Sequence, residues 1–286
     1  METSTTQVIR TRYGAFTIDE VRDKKMAQAL RHPDYFNEEL LTIARSFTTK
    51  ESVVVDIGAH IGTFAIPIAA EVEKVIAFEP FPGSFALLSR NAKENNVPIQ
   101  LVNKALGSEK GSGSLVVRNA SNAGANTLVP GGDISVTTLD EEVTHADFIK
   151  MDVEGMELEA LRGAAELIER SRPVVLFEVN LSALRAHGAS PRALERFFLK
   201  RGYRLYFPLE RDGETMLARA GSATLLTALI APRAWLCFSE SAPFDLVAVP
   251  RERALPSPQV GFFSALWRVI SNNVAIKIQR LVAFFK

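Results

Sequence analysis

Residues 53–65 read VVVDIGAHIGTFA, and this stretch decides the fold. Three β-branched residues without polar alternation predict a strand buried on both faces, as in a parallel sheet. The run ends on Asp56, and Gly58 and Gly62 follow it, so the chain turns sharply before a helix-like stretch. Glycine lets backbone approach a ligand with no Cβ in between. The helix behind it offers free N–H groups and a positive dipole end.

Working outward, 74–79 (KVIAFE), 99–102 (IQLV), 147–152 (DFIKMD) and 173–178 (PVVLFE) have the same buried-strand character. Helical spacing separates several of them. Pro82 to Asn95 opens on proline and closes on two asparagines, a start and a stop signal. Met156 to Ser171 reads as one helix, acidic at its first turn and basic at its last. Alternating strands and helices predict an α/β domain with a mostly parallel central sheet and helices on both faces. Residues 1–50 read as a helical extension, 51–250 as the main domain and 251–286 as a tail. Within the main domain, 107–139 reads as a Gly-, Ser- and Asn-rich segment, a hairpin-like insertion or a loop over the sheet edge, with short candidate strands at 114–118 and 134–138.

The 286 residues are 47% hydrophobic and 23% charged, an ordinary globular composition. Lys plus Arg and Asp plus Glu balance at 33 each, so no overall field recruits nucleic acid. Cys237 is the single cysteine, which excludes an intrachain disulfide and CxxC metal sites. The first residues lack the apolar core of a secretory signal, and no run of about 18 apolar residues occurs. These features lead to the expectation of a cytoplasmic location. Residues 261–286 carry Arg268, Lys277, Arg280 and Lys286 among apolar positions, with no acid after Glu252. A basic amphipathic helix of this kind docks on its own domain or a homodimer mate, or lies on an anionic membrane surface.

Two clusters carry chemistry. In the first, Glu79 ends the strand after the glycine turn, where a carboxylate accepts the hydroxyls of a ribose. Asp56 precedes the first glycine, so the set is D-x-G-x-x-x-G. An aspartate repels a pyrophosphate but attracts the ammonium and sulfonium of S-adenosylmethionine. The expected cofactor contacts are Asp56, Gly58, Ala59, His60, Gly62, Thr63, Glu79, Pro80 and Asp152. For His60, contact with cofactor or acceptor stands beside a plain backbone hydrogen bond. In the second cluster, Asp152, Glu154 and Glu178 are the expected catalytic groups, with Asn180 converging on the same crevice. Asp152 would orient cofactor or acceptor. Glu154 and Glu178 are candidates for general base or metal contact. Three carboxylates together bind a divalent cation or hold one proton between them. The competing roles are a helix cap for Glu154 and a salt bridge for Glu178. Lys150, inside a buried strand, reads as a structural ion-pair partner. Asn122 to Asn126 line an acceptor pocket or form a turn.

These pieces together resemble the FkbM family of methyltransferases. The likeness rests on VVVDIGAHIGTFA at 53–65, FEPFPGSFALLSRNAKENN at 78–96, NKALGSEKG at 103–111, TTLD at 137–140, DFIKMDVEGMELEALRGA at 147–164 and PVVLFEVN at 173–180. The resemblance implies a class I, Rossmann-like methyltransferase fold. It also implies O-methylation of a sugar, glycolipid or polyketide-like hydroxyl, a small-molecule or glycan acceptor. It places cofactor contacts on Asp56, Gly58, Gly62 and Glu79, and site-edge roles on Asp152 and Glu154. His60 departs from the asparagine usual there. An NAD-dependent Rossmann enzyme and a non-catalytic binding module are the rival readings.

Overall fold

The computed structural model describes residues 6–32, 37–116, 126–211, 214–220, 243–256 and 259–260. The chain begins with a hairpin, β1 (Thr6–Thr11) and β2 (Gly14–Asp19), then two helices, α1 (Lys24–Leu30) and α2 (Glu38–Phe47). Next come β3 (Val53–Ile57), α3 (Ala65–Ala69), β4 (Lys74–Phe78), α4 (Pro82–Glu94) and β5 (Ile99–Val102). A group of short elements follows: β6 (Ala105–Leu106), β7 (Gly111–Val116), β8 (Thr127–Pro130), β9 (Ile134–Thr137) and α5 (Leu139–Glu142). The chain re-enters the main sheet at β10 (Phe148–Met151), followed by α6 (Glu157–Arg162), α7 (Ala165–Ser171) and β11 (Val174–Val179). It continues through α8 (Leu181–Ala186), α9 (Pro191–Lys200), β12 (Tyr203–Arg211), β13 (Glu214–Arg219), β14 (Phe244–Pro250) and β15 (Gln259–Val260).

The main sheet runs β15-β13-β12-β14-β11-β10-β3-β4-β5. Strands β5, β4, β3, β10 and β11 are parallel neighbours, and β14 lies antiparallel between β11 and β12. This is the mostly parallel α/β sheet expected from the sequence. Alternate residues of β3 and β10 feed opposite faces. Val55, Ile57, Ile149 and Met151 join a core with α6, α7 and α9. Val54 and Phe148 join the other core, beneath α2, α3 and α4. Both faces are therefore apolar, which explains the uninterrupted β-branched run. The chain steps from β3 outward to β5, then returns to place β10 on the other side of β3. That reversal opens a crevice at the carboxyl ends of β3 and β10, where such sheets hold ligands.

Three local readings are corrected. Residues 6–19 form a hairpin, so the first fifty residues are not helical throughout; Phe16 and Ile18 are buried in the same core as α2 and α3. The helix expected over 156–171 is two helices broken at Gly163. A Cβ there would lie 2.0 Å from the Gly107 carbonyl oxygen, and Asp140 caps α7 by accepting from the N–H groups of Glu166 and Leu167. The insertion has strands at both expected places, β7 and β9, but in place of a hairpin or loop it forms a four-stranded sheet, β6-β9-β7-β8, with β9 paired in parallel to β6. Residues 117–125 and the basic tail 261–286 lie outside the described residues, as does Cys237. Among the described residues, no helix is long and apolar enough to cross a membrane.

Two asparagines of α4 fasten the hairpin to the sheet. The Asn91 amide donates to the carbonyls of Thr17 and Ile61, and its oxygen accepts from the Thr17 N–H at 2.7 Å. At Ala15, the Asn95 side chain accepts from the N–H and donates to the carbonyl. Asn91 is fully buried. Replacing it by alanine strands these backbone groups, so Asn91→Ala is expected to lower stability by about 1–3 kcal/mol. Urea denaturation followed by circular dichroism measures this; an unchanged midpoint would show that the amide does not hold the hairpin.

Candidate active site

The floor of the crevice is an ion pair. Asp56 on β3 and Lys150 on β10 are register partners, and Lys150 Nζ stands 3.1 Å from Asp56 Oδ1. The same ammonium donates to the Gly58 carbonyl at 3.0 Å. Burial alone would lower the Lys150 pKa, but the carboxylates of Asp56, Asp152 and Glu79 hold it above its ordinary value, so it remains a cation. Asp56 has no exposure at all and does not reach the cleft wall. Direct attraction between Asp56 and a bound cofactor is therefore corrected: Lys150 absorbs that charge. Lys150 holds the structural role read from the sequence, though its side chain also borders the cleft.

Above this pair the chain turns. The N–H groups of Gly58 and Ala59 both donate to the Phe78 carbonyl, stitching the turn to β4. Gly58 has φ +78°, and a Cβ there would sit 1.9 Å from the Asp152 carbonyl oxygen. The missing side chain makes room for the neighbouring strand end more than for a ligand. Gly62 (φ +95°) makes room for Ile66 and Leu88, and it is not on the cleft wall, so its expected cofactor contact is corrected as well. Gly58, Ala59, His60, Thr63, Glu79, Pro80 and Asp152 all line the cleft.

Glu79 is the organising carboxylate. Its Oε2 accepts from the His60 N–H at 2.8 Å and its Oε1 from the Phe81 N–H at 2.9 Å. One side chain thus ties the glycine turn to the start of α4. Burial raises its pKa against the pull of His60 and these N–H groups. His60 sits in the left-handed region at φ 53°, and its Nε2 lies 3.0 Å from Asp23 Oδ2. The N-terminal segment also supplies Met26, Asn37 and Leu40 to the cleft, and Asn37 donates to the Thr63 hydroxyl. No local pattern in the sequence marks these residues as site residues.

The other rim is acidic. Asp152 and Glu154 line the cleft, while Glu178 stands behind them and does not. Glu178 is paired in register with Asp245 of β14. Burial pushes the Glu178 carboxyl up to about 9, reinforced by Asp152, Glu154, Asp245 and Glu157. Burial pushes Asp245 to about 7 in the same way. Glu157, missed in the sequence, accepts from the N–H groups of Val153 and Gly155, and burial raises its pKa to about 7. Asn180 caps α8 through the Ala183 N–H. Among the described residues, no three acidic or histidine side chains stand together closely enough to hold a metal ion. The divalent cation expected at Asp152, Glu154 and Glu178 thus finds no support among the described residues, and Glu178 is the member of this set whose carboxyl burial holds in the protonated form.

The Methyltransferase FkbM domain model matches residues 56–205, more than half of the chain. The chain belongs to the FkbM methyltransferase family. The hexuronic acid methyltransferase AglP of Haloferax volcanii is 26% identical over 168 residues, which cover 56% of this chain and 68% of that protein. A crystal structure of a methyltransferase FkbM from Methylobacillus flagellatus KT is 25% identical with a TM-score of 0.36; the match covers 50% of this chain and 36% of that one. The structure of M. jannaschii TYW2 in complex with AdoMet is 15% identical with a TM-score of 0.43, over 87% of this chain and 86% of that one.

As an FkbM methyltransferase the chain must seat S-adenosylmethionine, a cation carrying a ribose, and the cleft suits it. The space measures about 970 Å³ with the open solvent at its mouth included. Glu79, Asp152 and Glu154 bring carboxylates to its wall, and Phe64, Phe81 and Leu128 give apolar surface. When bound, the cofactor supplies the electrophilic methyl group.

Two outcomes test this electrostatic frame. Lys150→Met leaves Asp56 buried and unpaired, and is expected to cost about 3–5 kcal/mol in denaturant unfolding. A cost near zero would mean the pair is not the floor of the site. For Glu178, the folded chain keeps its proton up to about 9, whereas the unfolded chain loses it in the ordinary carboxylate range. Between those two values the folded state binds more protons, so stability falls as pH rises. The melting temperature of the ligand-free protein is expected to decline across that window, and Glu178→Gln to flatten the decline. Parallel curves for the two proteins would contradict a protonated Glu178.

Proposed function

We propose that the chain transfers the methyl group of S-adenosylmethionine to a hydroxyl of a sugar acceptor, with uronic-acid-bearing glycans as the first class to test. The observation that carries the donor half is Glu79, held by the N–H groups of His60 and Phe81 inside a cleft that Asp152 also lines. The acceptor half draws support from the likeness to a protein named for hexuronic acid methylation. A hydroxyl is a weak nucleophile until its proton is accepted, so this reading requires a base beside the cleft. Glycolipid and polyketide-like hydroxyls are the other acceptors of the same chemistry. A homodimer and peripheral membrane attachment through 261–286 belong to the same proposal.

Incubation with methyl-labelled donor and fractionated glycans tests it. Label is expected in the carbohydrate or glycolipid fraction; label confined to protein or nucleic acid would overturn the acceptor class. Glu79→Ala is expected to weaken S-adenosylhomocysteine binding by about 1–3 kcal/mol, through lost ribose hydrogen bonds. Calorimetry reads this directly, and equal affinity would remove Glu79 from the donor site.

A further inference from the structure

Beside the donor cleft lies a second cavity of about 1120 Å³ with the open solvent at its mouth included. It is bounded by the end of β2, the start of α4 and the glycine turn. His60, Phe81 and Asn126 line both spaces and form the partition between them. Among the described residues, two polar atoms of that partition, His60 Nδ1 and Asn126 Oδ1, are buried with no hydrogen-bond partner, as is Asp23 Oδ2 beside them. Buried polar atoms are nearly always paired, and one left alone costs the desolvation of that group. Two such atoms, on residues shared by adjoining cavities, point to a polar molecule that completes them.

We propose that the second cavity seats the acceptor sugar and that His60 is the base that takes its hydroxyl proton, with Asp23 as the positioning residue. This rests on the methyl-transfer reading above. The geometry around His60 is fixed from two sides. Its backbone N–H is held by Glu79, and its Nε2 faces Asp23 Oδ2 at 3.0 Å. Asp23 is itself buried and anchored, because its Oδ1 caps α1 at the Met26 N–H. A carboxylate at Nε2 selects the tautomer with its proton there and leaves the Nδ1 lone pair as acceptor. The cavity wall suits a sugar: Phe81 and Pro82 offer an apolar face, Ser84 offers a polar group, and Arg22, which stands 3.7 Å from Asp19 Oδ2, is a cation that a uronate would share with that carboxylate.

In the step itself, the acceptor O–H proton passes to Nδ1 as the oxygen bonds to the methyl carbon. The carbon–sulfur bond breaks and its electron pair stays on sulfur, so the cationic donor becomes a neutral thioether. The imidazolium formed is flanked by Asp23 and Glu79, with Lys150 opposing it and with Asp19 and Arg22 on the second cavity's wall. Burial pulls the His60 pKa down, but the bond to Asp23 and the charges of Asp23 and Glu79 outweigh it and leave it above 6.5.

The test uses the full chain and two conservative variants. His60→Asn keeps a residue that tolerates the left-handed backbone and removes the base. Asp23→Asn keeps the cap oxygen and removes the charge. With a glucuronic-acid oligosaccharide as acceptor, His60→Asn is expected to lower kcat by about 100-fold or more, with S-adenosylhomocysteine affinity within about threefold of the parent. The parent kcat should rise through a pKa above 6.5, and Asp23→Asn should move that rise to lower pH. A loss of S-adenosylhomocysteine affinity with kcat intact would make His60 a donor contact and overturn the proposal. Undiminished kcat in His60→Asn would do the same. A further arm needs no turnover: methyl glucuronide added to the S-adenosylhomocysteine complex should shift the His60 Nδ1 signal in nitrogen-15 spectra. No shift at saturating uronide removes the acceptor from this cavity. A shift without methylation of any glycan would instead sink the methyl-transfer reading alone.

Discussion

The site depends on one buried ion pair. Asp56 and Lys150 occupy opposite positions on adjacent parallel strands, and each would be intolerable there without the other. Lys150 also grips the Gly58 carbonyl, so it sets the path of the chain as it leaves β3. Gly58 then accepts the Asp152 carbonyl into the space where a side chain would be. The two strand ends that form the cleft are thereby locked to each other through a single ammonium. The ligand-facing groups, Glu79 and Asp152, inherit their positions from that lock.

Charge around the cleft is unevenly distributed. Lys150 is compensated from below, while Asp152, Glu154, Glu157, Glu178 and Asp245 crowd the other side, and several of them keep protons near neutrality. An incoming cation meets a rim already short of positive charge. After methyl transfer the sulfur is neutral, and that attraction is gone.

Much of this was legible in the chain. Buried-strand runs marked the parallel sheet, the D-x-G-x-x-x-G run marked the turn that borders the cleft, and Lys150 was readable as an ion-pair partner because charge inside an apolar run demands one. Other features were hidden for physical reasons. Asp56 shares its strand face with Val54, but only the register with β10 reveals that its partner is Lys150 and not a ligand. Glu178 looks catalytic in sequence because strand ends usually face the crevice; β14, inserted beside β11, brings Asp245 against it instead. The break at Gly163 comes from a close approach by Gly107, which no helical periodicity records. Asp23 and Asn37 reach the site from the N-terminal segment through tertiary packing alone.

Asn91 has a wider consequence. Its amide bridges Thr17 in the hairpin and Ile61 in the glycine turn, so two segments far apart in sequence share one side chain. Neither can open locally without exposing the other's backbone to water. The donor loop and the N-terminal hairpin therefore belong to a single cooperative unit, and their amide protons should exchange with solvent at matching rates. Whatever orders the hairpin also orders the cofactor loop.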